Sequence, residues 1–159
     1  YALWTVADWQ QLVLSIALAP PLIWLSQSDL KNYELPDTGT ILVSVMAVMF
    51  IAATDSDMLP FHLALAASIA GILWLIGEVY FRRTGQEGLG IGDAKLFGAG
   101  ALLLGPWQLP ELFLLASLGG ILGYYLARLR ADGVEDGIPF GPFIAYAIFV
   151  LSFLEPLFL

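Results

Sequence analysis

Phe61-His62-Leu63-Ala64-Leu65-Ala66-Ala67-Ser68-Ile69-Ala70-Gly71-Ile72-Leu73-Trp74-Leu75-Ile76-Gly77-Glu78-Val79-Tyr80-Phe81 carries one carboxylate and one imidazole in an otherwise uncharged, largely aliphatic stretch, and Arg82-Arg83 closes it. At 1.5 Å per residue a helix of this length crosses the ~30 Å hydrocarbon layer of a bilayer. The whole chain agrees with that reading: 59% of its 159 residues are hydrophobic and 13% charged, with a mean hydropathy of +0.83. Soluble domains are about one quarter charged, and one of roughly this size buries only about 70% of its unfolded surface. The apolar excess must therefore face lipid, and an all-α, polytopic membrane protein is the fold class expected.

Working outward, charge, Gly and Pro divide the chain into six apolar runs, over residues 9–28, 38–54, 61–81, 93–107, 110–129 and 140–157. They form a single transmembrane domain covering residues 1–159, with no soluble domain and no linker. Pro20 and Pro21 should kink the first run, since each removes a backbone donor. Gly119, Gly120 and Gly123 in the fifth suggest a close helix contact. With six spans, the links after the first, third and fifth share one side of the membrane. Lys31, Arg82, Arg83, Lys95, Arg128 and Arg130, which are all the basic residues, lie in or beside these links. The Lys/Arg bias places that side in the cytoplasm and both termini outside. The formal charge of −8 argues against nucleic acid as a partner. The absence of cysteine from the sequence excludes disulfides, thiolate metal sites and thiol catalysis, and His62 alone makes no imidazole site.

Two carboxylates stand out on the cytoplasmic side. Asp29 closes the first helix in Ser28-Asp29-Leu30-Lys31-Asn32-Tyr33-Glu34-Leu35-Pro36-Asp37, and Asp93 opens the fourth in Gly88-Leu89-Gly90-Ile91-Gly92-Asp93-Ala94-Lys95-Leu96. A pair of carboxyl groups sharing one proton suits an aspartic protease, one activating water while the other donates to the scissile carbonyl. Taken alone, each is more often a solvated helix end, and Asp37, after Leu35-Pro36, reads as a helix N-cap. Gly88, Gly90 and Gly92 fail as a dinucleotide fingerprint, because Asp93 stands where the last glycine belongs and no strand precedes them.

The stretch from Thr84 through Gly88-Leu89-Gly90-Ile91-Gly92-Asp93 to Leu96, continued by Gly98-Ala99-Gly100-Ala101, resembles the GxGD signature of the type IV prepilin and preflagellin peptidases. Asp29 with Leu35-Pro36-Asp37 resembles that family's other aspartate motif, and Ile138-Pro139-Phe140-Gly141-Pro142-Phe143 its element at the start of the last helix. The resemblance covers nearly the whole chain. It implies a GxGD membrane aspartyl protease fold with Asp29 and Asp93 as the catalytic pair. It further implies cleavage of the short basic leader of prepilins, pseudopilins or preflagellins at the cytoplasmic face of the inner membrane, without metal or cofactor. Gly90, Gly92, Lys95, Asp37, Glu34, Glu87, Pro139 and Gly141 are then the expected substrate-binding residues. The acidic residues Glu34, Asp37, Glu87, Asp132, Glu135 and Asp136 are candidate contacts for leader Lys and Arg.

Many bacterial members carry an additional cytoplasmic region with paired cysteines and methylate the new N-terminus from S-adenosylmethionine. This chain has no cysteine, so peptidase activity without methylation is expected. Lys31 stands where many relatives have a second acidic residue. The rival readings are a small proton- or cation-coupled transporter using Asp29 and Asp93, and a catalytically silent assembly scaffold. Glu78 is read first as an i, i+4 ion pair with Arg82 and alternatively as lining the substrate groove, His62 as an interface residue, and Trp4, Trp9, Trp24, Trp74 and Trp107 mostly as interfacial anchors or packing.

Overall fold

The computed structural model describes residues 9–86, 88–129 and 139–154. Among them the secondary structure is helical throughout: α1 (Trp9–Asn32), α2 (Asp37–Thr54), α3 (Leu59–Thr84), α4 (Ile91–Leu104), α5 (Leu109–Leu129) and α6 (Gly141–Ser152), with a 3-10 turn at Ser56–Met58. α1 continues through Pro20 and Pro21. It runs past the expected end to Asn32, so Asp29 sits inside its last turn. Tyr33 then takes a left-handed φ of 54°, and its N–H closes on the Asp29 carbonyl at 2.9 Å. This sharp exit sends the chain into Glu34-Leu35-Pro36, of which Glu34 and Leu35 line one cavity with that aspartate.

Four segments, Leu12–Asn32, Asp37–Thr54, Ser56–Thr84 and Leu109–Leu129, are long and apolar enough to cross a membrane. The fourth and sixth apolar runs are shorter helices than the sequence suggests. α4 has 14 residues and α6 has 12, about 21 and 18 Å of helix, less than the hydrocarbon thickness. Every residue of α4 from 96 to 104 is buried, whereas α3 buries none. A helix that is apolar on all sides and enclosed by protein is a core helix, and α4 has that role, flanked by α2, α3 and α6.

Contacts along each pair show that the chain still alternates direction. α1 lies antiparallel to α6, with Ser15 against Ser152 at one end and Asp29 against Gly141 at the other. α3 lies antiparallel to α4: Gly77 meets Leu89, Gly98 meets Ala66 and Ala70, and Gly105 meets His62. Lipid gives no hydrophobic drive between helices, so close fit has to supply the attraction. At Gly98 a Cβ would stand 2.9 Å from Ala70 Cβ and 3.1 Å from the Ala66 carbonyl. The α5 glycines act differently from plain helix contact. Gly119 and Gly123 receive the ring of Phe143, and Gly120 that of Phe140, so they form sockets for aromatic side chains of the α6 start. His62, near the start of α3, is half-buried, and its Nδ1 lies 2.7 Å from the Leu102 carbonyl at the end of α4.

Candidate active site

At the opposite end of α4 from His62, a cavity of about 720 Å³ contains both Asp29 and Asp93. Two sequence motifs separated by two whole helices, α2 and α3, thus share one pocket. Asp93 occupies the first turn of α4, whose N-cap is Gly90, and its carboxylate accepts the Gly90 backbone N–H. A carboxylate three residues into a helix bonding back to the cap N–H satisfies one of the orphan donors of the first turn. Asp29 is 5% exposed, and its Oδ2 accepts the backbone N–H of Gly141 at 2.8 Å. Each aspartate is therefore held by the amide of a glycine at a helix start, one from its own helix and one from a helix far along the chain. The two carboxyl groups are close enough for the charge on Asp29 to act on Asp93.

The glycines differ in what they make room for. A Cβ on Gly92 would stand 2.8 Å from Leu35 Cβ, so Gly92 lets the turn before α4 close on the loop after α1. Gly90 would bring its Cβ to 3.3 Å from Asp93 Oδ2. Gly141 is buried, and a Cβ there would stand 2.8 Å from Asp29 Oδ2 and 2.9 Å from Leu35 Cδ2. Its surroundings are thus the aspartate itself and the Leu-Pro-Asp loop. Pro139 is half-buried just ahead of α6.

Among the charged candidates, Lys95 Nζ pairs with Asp37 Oδ1 at 2.6 Å across α2 and α4, with both side chains substantially exposed at the rim. Asp37 is the first residue of α2, and Pro36 takes the N-cap position, so the expected capping role is replaced by this ion pair. Glu34 is exposed on the pocket wall, and its carbonyl accepts the Ser28 hydroxyl at 3.0 Å. Glu78 pairs with Arg82 as expected, Oε1 to Nε at 2.6 Å, and also lines the pocket. Glu87, Arg130, Asp132, Glu135, Asp136 and Ile138 lie outside the described residues.

Apart from Glu78, the sequence reading missed the third wall. Trp74, Gly77, Glu78 and Phe81 of α3 line the cavity, at the i, i+3, i+4, i+7 spacing of one helix face. Trp74 thus faces the aspartates' pocket, and the signal available was its spacing from Glu78 and Phe81. Among the described residues, no group of three His, Cys, Asp or Glu side chains is gathered where it could hold a metal ion.

An all-helical membrane protein with a pair of aspartates in one pocket at the end of its bundle is the class defined by this arrangement. The chain belongs to the type IV leader peptidase family, which matches residues 4–124. It is 35% identical over 138 residues to a prepilin leader peptidase/N-methyltransferase of Pseudomonas putida, covering 80% of this chain and 46% of that protein. A prepilin leader peptidase/N-methyltransferase of Legionella pneumophila is 31% identical over 157 residues, 96% of this chain and 54% of its own. The chain spans about half the length of these relatives. No solved structure matches it.

Proposed function

We propose that this chain is a membrane-embedded aspartic endopeptidase that removes the basic leader of type IV prepilins, pseudopilins or preflagellins at the cytoplasmic face of the inner membrane. The observation that carries the reading is the convergence of Asp29 and Asp93 in one pocket. The family membership and the relatives' printed name, prepilin leader peptidase, support the substrate class. The Lys/Arg bias supports a cytoplasmic aspartate face, with both termini outside.

Between them the two carboxyl groups hold one proton. The ionised one takes a proton from a water molecule, whose oxygen bonds to the scissile carbonyl carbon, while the protonated one gives its proton to the carbonyl oxygen. The tetrahedral intermediate then collapses: one of its hydroxyls returns a proton to the carboxylate that had given one, the C–N bond breaks, and the departing amine receives the proton taken from water. The Gly141 and Gly90 amides fix one oxygen of each carboxyl group, and such orientation of reacting groups is a large part of catalytic advantage. Glu34, on the pocket wall, is available to the leader's Lys and Arg, and the Asp37–Lys95 pair borders the approach.

Co-expression with a type IV prepilin tests the reading. Wild type is expected to yield the shortened product, while Asp29→Ala and Asp93→Ala leave the precursor whole. Processing that survives either substitution removes the dyad. Absence of processing across prepilin, pseudopilin and preflagellin leaders removes the peptidase reading.

A further inference from the structure

Beside the aspartate pocket, a second cavity of about 360 Å³ lies between α2, α3 and α4. The two cavities share Asp37 and Lys95, so the ion pair stands at the passage from one to the other. Beyond it the walls are mainly small: Ala66, Ala67 and Ala70 from α3, and Ala99 from α4. α2 and α3 both pack on α4 but scarcely on each other, and Ile41 and Ala67 are exposed on the two lips of the cleft.

One atom in this groove lacks what its neighbours have. Thr40 is 6% exposed and lines the cavity, and its hydroxyl has no hydrogen-bond partner. Elsewhere Ser26, Ser44, Thr54, Ser68 and Thr84 donate to the carbonyl one turn earlier, and the buried Ser152 hydroxyl bonds Ser15. The equivalent acceptor for Thr40, the Pro36 carbonyl, is already shared by the N–H groups of Gly39 and Thr40. A buried hydroxyl left over in this way costs stability, and it sits about one helical turn inward from Asp37.

We propose that this groove seats the segment of substrate on the membrane side of the scissile bond, and that the Thr40 hydroxyl bonds a main-chain group in that segment. The proposal rests on the endopeptidase reading above. A peptide bond attacked between two carboxyl groups has to be unwound from helix, and unwound backbone at membrane depth needs partners for its N–H and C=O groups. Small walls let another backbone approach closely. Asp37 and Lys95 are engaged with each other, so the groove has no free counter-charge for an ionic side chain. The occupant is accordingly a membrane-anchored chain with small and aliphatic side chains entering from the lipid.

The test compares kcat/KM in vesicles for two substrates, a prepilin with its membrane segment and a leader peptide truncated shortly after the cleavage site. Thr40→Val is expected to lower the anchored-to-truncated ratio of kcat/KM by about tenfold, the worth of one hydrogen bond. Ala67→Trp, which fills the cleft from its exposed lip, is expected to lower the ratio as well. Ile72→Trp, on an exposed α3 position outside the groove lining, is expected to leave it unchanged. If wild type cuts and the ratio holds in both groove variants, a lipid chain or nothing fills the cleft and the proposal is overturned. Equal losses on both substrates also overturn it. If wild type cuts neither substrate, the endopeptidase reading itself fails and the groove proposal falls with it.

Discussion

Replacing Gly141 by Ala perturbs the candidate site through the last helix rather than through the aspartates. The new Cβ would stand 2.8 Å from Asp29 Oδ2, where ordinary contact begins near 3.4 Å, so one of the two must retreat by about 0.6 Å. The Gly141 N–H to Oδ2 bond, now 2.8 Å, lengthens towards the limit of useful geometry. That bond is worth roughly 1 kcal/mol, and displacing a reacting group by 1 Å costs about 100-fold in rate. A kcat lower by about 10- to 100-fold is therefore expected in cleavage of a prepilin leader, with KM little changed. Overpacking adds about 1–3 kcal/mol of destabilisation, so retained helical circular dichroism has to accompany the assay. Adding Leu35→Ala separates the causes: it relieves the contact at 2.9 Å to Leu35 but leaves the one at 2.8 Å to Asp29, and activity is expected to stay low. A wild-type kcat in Gly141→Ala, or full recovery on adding Leu35→Ala, would refute a positioning role for this amide.

The remaining predictions concern the packing, the rim and the product. Gly123→Ala puts a Cβ 2.5 Å from Phe143 Cζ and is expected to cost about 1–3 kcal/mol; thermal unfolding in detergent reads the loss, and Phe143→Leu in the same chain should recover most of it. Lys95→Met breaks an ion pair whose side chains are 46% and 63% exposed, so stability should move by less than about 1 kcal/mol. With Asp37 released for a basic leader, KM is expected to fall by no more than about fivefold, and a rise would assign Lys95 a direct attractive contact with substrate. With this cysteine-free chain as the sole enzyme and S-adenosylmethionine present, the mature N-terminus should be unmodified by mass spectrometry. A gain of one methyl group there would overturn that expectation.

What the sequence discloses here follows from which interactions leave a trace in side-chain identity. Lipid-facing length does, and the runs that became α1, α2, α3 and α5 are legible as spans. The runs over 93–107 and 140–157 are just as apolar, because a helix enclosed by protein and one enclosed by lipid meet the same low polarity. The density of small residues at Gly98-Ala99-Gly100-Ala101 was the available sign that α4 lies inside. The aspartate motifs were legible as motifs, and their order along alternating helices brings them to one end of the bundle. What positions them was not legible, because the donors are backbone amides, which every residue but proline possesses. Only the fold brings Gly141 to Asp29, 112 residues away; the motif at the start of the last helix marked it as a residue that binds substrate, not as the amide that holds an aspartate. The same reasoning covers Asp37 and Lys95, 58 residues apart: charge alone offers each of them to a substrate, while geometry gives them first to each other. In a helical membrane protein of this size, then, glycine at a helix start beside an acidic motif is better read first as room for a carboxyl group than as room for substrate.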